Sequence, residues 1–190
     1  VDTAWSSSLA AVHLACQALW VGEIDMALAG GANVILGLES SELFTQANIL
    51  SPDGRCKFGD ASADGFVRSE GAGIVVLKRL SEAVADKDPI YAVIRGSAMN
   101  NDGRTTGLMT PSIEAQEQMM LAAWKSAEID PKDILYIETH GTGTGIGDRV
   151  EIRATTRALE KNGVSEPCWL GSVKTNIGHL EAAAGVAGVI

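Results

Sequence analysis

Aromatic residues are scarce: Phe, Trp and Tyr together make up 5% of the 190 positions. So few rings, scattered along the chain, offer no stacking platform for nucleobases. Positive charge is also short, with 15 Lys and Arg against 24 Asp and Glu, a net charge of -9. No basic run interrupts that balance, which excludes nucleic acid and an anionic membrane surface as partners. The three cysteines, Cys16, Cys56 and Cys168, lie far apart and form no C-x-x-C pair. An odd, dispersed set builds no disulfide framework. Together with His13, His140 and His179 it matches no zinc spacing, so no metal is expected. There is no G-x-x-x-x-G-K-[ST], and the Gly-rich "GTGTGIG" lacks the G-x-G-x-x-G spacing, which sets nucleotide binding aside. No solenoid-length repeat and no low-complexity tract occurs.

Charge is missing altogether from the 20 residues between Asp2 and Glu23. That length is enough to cross a bilayer. Thr3, Ser6, Ser7, Ser8, His13 and Gln17 break the run, and no basic flank follows it. The better expectation is a helix buried on nearly all sides within a soluble protein. His13 and Gln17 share one stripe of it, four residues apart. Plain core packing is the expected role of His13 and Cys16.

What is present is apolar material for a core, 46% of positions, and 21 glycines. The pattern alternates. A helix is expected over Ser6–Val21, then a buried strand at "MALAGG". Leu36–Gly65 is loop-rich. Strands are expected at Gly73–Leu80 and Tyr91–Met99, and a helix over Ser112–Ala127 with Pro111 in its first turn. Ile134–Thr139 reads as a strand, Asp148–Leu159 as a helix with an acidic start, and "CWLGSV" as a strand. The last helix begins near His179. Strands alternating with helices mean α/β layering. A second run without charge after Glu181 implies at least two enclosed helices, as between two sheets.

Four segments have the composition of a reactive site. "VDTAWSSSL" is a turn leading straight into a helix, where backbone N–H groups and the dipole favour negative charge. A Cys at that elbow would be a thiolate nucleophile; Trp5 stands there. "ETHGTGTGIGD" places His140 at a strand end, followed by glycines that allow close backbone approach. "GSVKTNIGHLE" repeats the plan with His179, and Lys174 lies five residues before it. Two such histidines are candidates for a catalytic pair, with a structural role for each left open. The fourth segment, "SPDGRCKFGDASADGFVRSEGAG", contains Cys56, flanked by Arg55 and Lys57; it reads as structural, with some reactivity left open.

These segments resemble the β-ketoacyl synthase (ketosynthase) domain of modular type I polyketide synthases over the whole chain, Val1–Ile190. "VDTAWSSSLAAVHLACQAL" is similar to that family's nucleophile elbow, and "KTNIGHLEAAAGVAG" to its final histidine motif. The resemblance implies a thiolase-like α/β fold of five layers, α-β-α-β-α. It implies that 1–190 is a partial domain, running from the elbow to the helix after the last catalytic His and truncated at both ends. It further implies decarboxylative Claisen condensation of acyl and malonyl or methylmalonyl thioesters, carried on the phosphopantetheine of an acyl-carrier protein. No bound cofactor is implied. The implied partners are the carrier protein, other polyketide synthase domains and a second copy in a homodimer; the implied location is cytoplasmic.

By motif match, His140 and His179 are the donors to the enolate oxygen, and Lys174 supports them electrostatically. Thr142 and Thr144 contact the pantetheine arm. Trp5 departs from the pattern at the nucleophile position, where Cys is the rule. Indole offers one N–H and no nucleophilic atom. Three accounts of Trp5 stay open: an error or deliberate change, a non-elongating or silent domain that docks carrier protein, and a working decarboxylase. Arg149, where Pro is usual, is a smaller departure. A thiolase or chalcone-synthase type is disfavoured, since those enzymes pair His with another partner.

Overall fold

A computed structural model describes residues 1–107 and 109–190. The elbow turn Ala4–Ser6 runs directly into α1, Ser7–Trp20. Helix α1 buries Ser8, Ala10, Val12, Cys16 and Leu19. That face packs on β1, Met26–Asn33, which pairs antiparallel with β2, Gly71–Lys78, from Met26↔Lys78 to Asn33↔Gly71. Val12, Cys16 and Ala29 form one core, with Val75, Leu77 and Ile94 against it. The long β1–β2 connection contains α2, Glu39–Gln46. Helix α3, Leu80–Asp86, follows β2 directly.

The second half is built on α4, Ile113–Ala127, and α5, Gly147–Lys161. They are tied by the buried Glu117 carboxylate, which pairs with Arg157 at 2.8 Å and with Lys161. Two short strands, β3, Tyr136–Glu138, and β4, Trp169–Gly171, pair in parallel. The chain then makes α6, Lys174–Ile177, a tight turn at Glu181–Ala183 and α7, Ala184–Val189. Helix α7 returns to the first half. Ser8 Oγ, fully buried, accepts from Val186 N–H at 3.0 Å and locks the start of α1 to α7. Both halves of the sequence therefore meet at the elbow.

Several expected elements change. Tyr91–Met99 forms no ladder among the described residues. It runs past α4 instead, where an added side chain at Gly96 would meet the Ala127 backbone at 2.3 Å. Ser112, not Pro111, caps α4, its side chain accepting from Ala115 N–H at 3.1 Å. The final helix starts after Glu181 rather than at His179, because residues 178–181 turn sharply. The short α2 and α3 carry no periodic pattern that marks them in the sequence. Helix α1 is also not enclosed within this chain: Leu9, Leu14 and Trp20 are about half exposed. An all-apolar helix needs covering layers on two sides, and these residues supply one. His13 lies half-buried, with Nδ1 2.8 Å from Ser97 Oγ, and Cys16 is core, as expected.

Candidate active site

At the elbow Ala4 has φ +54°, a left-handed conformation that costs about 1 kcal/mol for a residue with a side chain. The turn is held by Ser7, whose Oγ accepts from Thr3 N–H at 3.0 Å and donates to the Ala4 carbonyl at 2.5 Å. This geometry presents residue 5 immediately before the N-terminus of α1. The half-buried Trp5 ring lies among four others. Its centroid is 4.9 Å from His179, 6.0 Å from His140, 5.3 Å from Phe66 and 6.3 Å from Phe44. His140 and His179 are themselves 5.4 Å apart. Three loops distant in sequence thus bring all three positions together.

His179 is fully buried, with no exposed surface. Its backbone is clamped between two extended residues, its N–H donating to Val67 O at 2.7 Å and its carbonyl accepting from Ser69 N–H at 2.9 Å. Its ring is fixed by Glu181, whose backbone N–H donates to Nδ1 at 2.8 Å. Nδ1 is therefore the unprotonated nitrogen, and Nε2 carries the proton. Nε2 is buried and has no partner of its own. An unsatisfied buried donor is costly, and natural structures keep few without a role. Burial, then the His140 and Lys174 charges, push the His179 pKa down to about 3. Crowding and the Lys174 charge push His140 down to about 4, although His140 keeps an exposed edge. Both imidazoles are neutral at physiological pH.

Lys174 is buried, at 5% exposure. Burial lowers its pKa, against the opposing charges of Glu151 and Glu138. Glu151 accepts from His140 N–H at 2.6 Å and Gly141 N–H at 2.8 Å, so it fixes the backbone that carries His140. Thr142 is buried, with its Oγ1 3.1 Å from Thr144 Oγ1. Asp148 gathers two loops: one oxygen accepts from Gly143 N–H and the other from Gly59 N–H, both at 3.1 Å. Gly143, at φ +78°, approaches the 56–65 loop so closely that an added side chain would meet Lys57 N at 2.5 Å. That loop hides Cys56, whose Sγ accepts from Val67 N–H at 3.2 Å. Burial pushes its thiol up. Lys57 is engaged by Asp53 and Asp64 instead.

All six site positions read from the sequence fall in this one region. Ser8, Phe44, Phe66, Arg68, Glu151 and Glu181 join them from the structure alone. Of these, only Glu151 has a visible signal, three residues after Asp148 on the first turn of α5. A pocket with two neutral imidazole donors and a buried cation suits a developing oxyanion.

Comparison with known proteins agrees. The family described as "Beta-ketoacyl synthase, N-terminal domain" matches residues 1–83, and "Beta-ketoacyl synthase, C-terminal domain" matches 91–190. One phenolphthiocerol/phthiocerol polyketide synthase polypeptide of Mycobacterium tuberculosis is 55% identical, over all of this chain and 10% of its own length. A second polypeptide of the same name and organism is 53% identical, over 12% of its length. The solved ketosynthase from module 6 of the Bacillus subtilis bacillaene synthase superposes with a TM-score of 0.97 at 49% identity. The Streptomyces albus oxazolomycin ketosynthase domain gives 0.96 at 42%. The chain covers 34% and 33% of those two structures. It spans about a tenth of the curated relatives and a third of the solved ketosynthases. The chain has the thiolase-like ketosynthase fold and belongs to the β-ketoacyl synthase family of condensing acyltransferases.

Proposed function

We propose that residues 1–190 form the central part of a polyketide synthase ketosynthase domain whose decarboxylating half-site is intact and whose acyl-accepting half is blocked. The reaction is the decarboxylative Claisen condensation, on acyl and malonyl or methylmalonyl thioesters carried by the phosphopantetheine of an acyl-carrier protein. Other synthase domains and a second copy of the domain are the remaining partners, in the cytoplasm.

The carrying observation is the buried, partnerless Nε2–H of neutral His179 beside His140 and Lys174. Loss of carbon dioxide from a malonyl thioester leaves an electron pair delocalised onto the thioester oxygen. Two N–H donors at that oxygen lower the barrier, since they are arranged before the charge develops. For His140 this requires the matching Nε2–H tautomer. Lys174 keeps both rings neutral, and so keeps Nδ1 of His179 free to accept from Glu181. Thr142 and Thr144 present hydroxyls on the approach to His140, suited to the amides of a pantetheine arm.

In the full reaction the enolate carbon attacks an acyl group held on a thiolate at position 5. Trp5 cannot hold one, because indole has no basic or nucleophilic atom. The enolate then takes a proton and leaves as the acetyl or propionyl thioester. A second reading, a silent carrier-docking module, is favoured by one observation: the indole lies within ring contact of both imidazoles. Malonyl-carrier protein incubated with the full-length polypeptide that carries this segment separates the two. Acetyl-carrier protein should form, and His179→Ala should slow it by about a hundredfold. Equal rates in both proteins would overturn the decarboxylase reading.

A further inference from the structure

Glu181 has φ +45°, left-handed backbone in a residue with a long side chain. Such strain persists where surrounding contacts enforce it. Here the enforcing contact is Arg68. Its Nε pairs with one Glu181 carboxylate oxygen, and its Nη2 donates to the other at 3.2 Å. Both side chains are nearly buried, at 10% and 14% exposure. The third arm is used as well, with Nη1 donating to Ser41 Oγ at 2.7 Å on α2. The guanidinium also sits 5.3 Å over the Phe44 ring. The same Arg68 lies between Val67 and Ser69, the two residues that clamp the His179 backbone.

We infer that Arg68 and Glu181 are positioning residues for His179: their ion pair holds residue 181 left-handed, so that its N–H seizes Nδ1 and leaves the Nε2–H free for substrate. This rests on the decarboxylase reading for its catalytic consequence, but not for its structural one. A guanidinium fork suits the task because two parallel bonds fix a carboxylate in angle as well as distance. Without the fork, residue 181 relaxes to ordinary backbone, and its N–H turns away from the ring. The imidazole then loses its fixed tautomer, and a fraction of the molecules present a bare nitrogen to the enolate oxygen.

The test uses the full-length polypeptide, with Arg68→Met, Glu181→Gln and Arg68→Lys compared to the parent. Amide exchange by mass spectrometry reads the Glu181 N–H directly. Arg68→Met should raise exchange in the peptide spanning Glu181 by about tenfold and leave α5 unchanged. Malonyl decarboxylation should fall by about tenfold in kcat with KM within about twofold, and Arg68→Lys should recover part of it. Glu181→Gln, which conserves shape, gives the same reading if Arg68→Met does not fold. Unchanged exchange at Glu181 would overturn the inference, as would lost activity shared equally between kcat and KM with no rescue by Lys. If the parent releases no carbon dioxide but exchange at Glu181 still responds to Arg68, the positioning stands and the functional reading fails.

Discussion

At position 5 the backbone and the side chain are at odds. The strained Ala4 and the dipole of α1 make the elbow a place for an anion, while the indole that occupies it can carry none. Replacing the indole by a thiol should expose that mismatch. The thiol introduced by Trp5→Cys should react with iodoacetamide at neutral pH ahead of Cys16 and Cys56, whose thiols burial pushes up. Peptide mapping after a short pulse reads this. Labelling no faster than at the buried pair would mean that the elbow exerts no field. The histidines make a second residue-scale prediction. With His179 near 3 and His140 near 4, neither ring gains a proton between about pH 5 and 8. The decarboxylation profile should show no inflection near the ordinary histidine value of about 6.5. The stability consequence has a definite sign. An unfolded histidine takes a proton below about pH 6.5 that the folded one refuses. Stability is therefore complete above that value and lost as pH falls toward the folded pKa. His179, the buried ring, carries the larger share. Denaturant midpoints measured across that range should flatten in His179→Gln.

Among the elements, the glycine loop before α5 is the piece on which both histidines depend. Asp148 holds it to the 56–65 loop through Gly143 and Gly59, and Glu151 holds the His140 end. Asp148→Ala leaves two loop amides without an acceptor and should cost about 3 kcal/mol. A lower denaturation midpoint, with lost decarboxylation, is the expected result. The elements themselves are unevenly legible in the sequence. Helices α1, α4 and α5 announce themselves by period, length and an acidic or polar start. The run at Tyr91–Met99 has strand composition, yet pairing is a property of two segments, and its own residues do not name a partner. Residues 178–181 read as a helix start because "HLEAAAG" favours helix. Arg68 overrides that preference from 113 residues away. His140, His179 and Lys174 are legible because each sits in a glycine-bearing loop after a strand. Phe44, Arg68 and Glu181 are not, since their importance lies in contacts that span the chain.

On the scale of the whole molecule, the notable feature is how much apolar surface is left open. Leu36 and Tyr91 are over nine-tenths exposed, and Leu28, Ile74 and Val76 about two-thirds. The last three lie on the outer face of the β1–β2 ladder, beside one another in register. The residues of a full ketosynthase outside this third are the natural cover. Expressed alone, these 190 residues should bind a hydrophobic dye and elute as aggregate; a cooperatively melting monomer would contradict this. The same surface explains why α1 and α7 look like enclosed helices in sequence and are half-open here. It does not reach the reactive centre, because the Trp5, His140 and His179 constellation is assembled wholly from within the chain. Whether that centre is blocked at position 5 is read from the intact mass of the full-length polypeptide after incubation with an acyl-carrier thioester, with and without Trp5→Cys. The parent should carry no acyl adduct, and the variant should carry one, mapped to position 5. An adduct on the parent, or none on the variant, would refute the block.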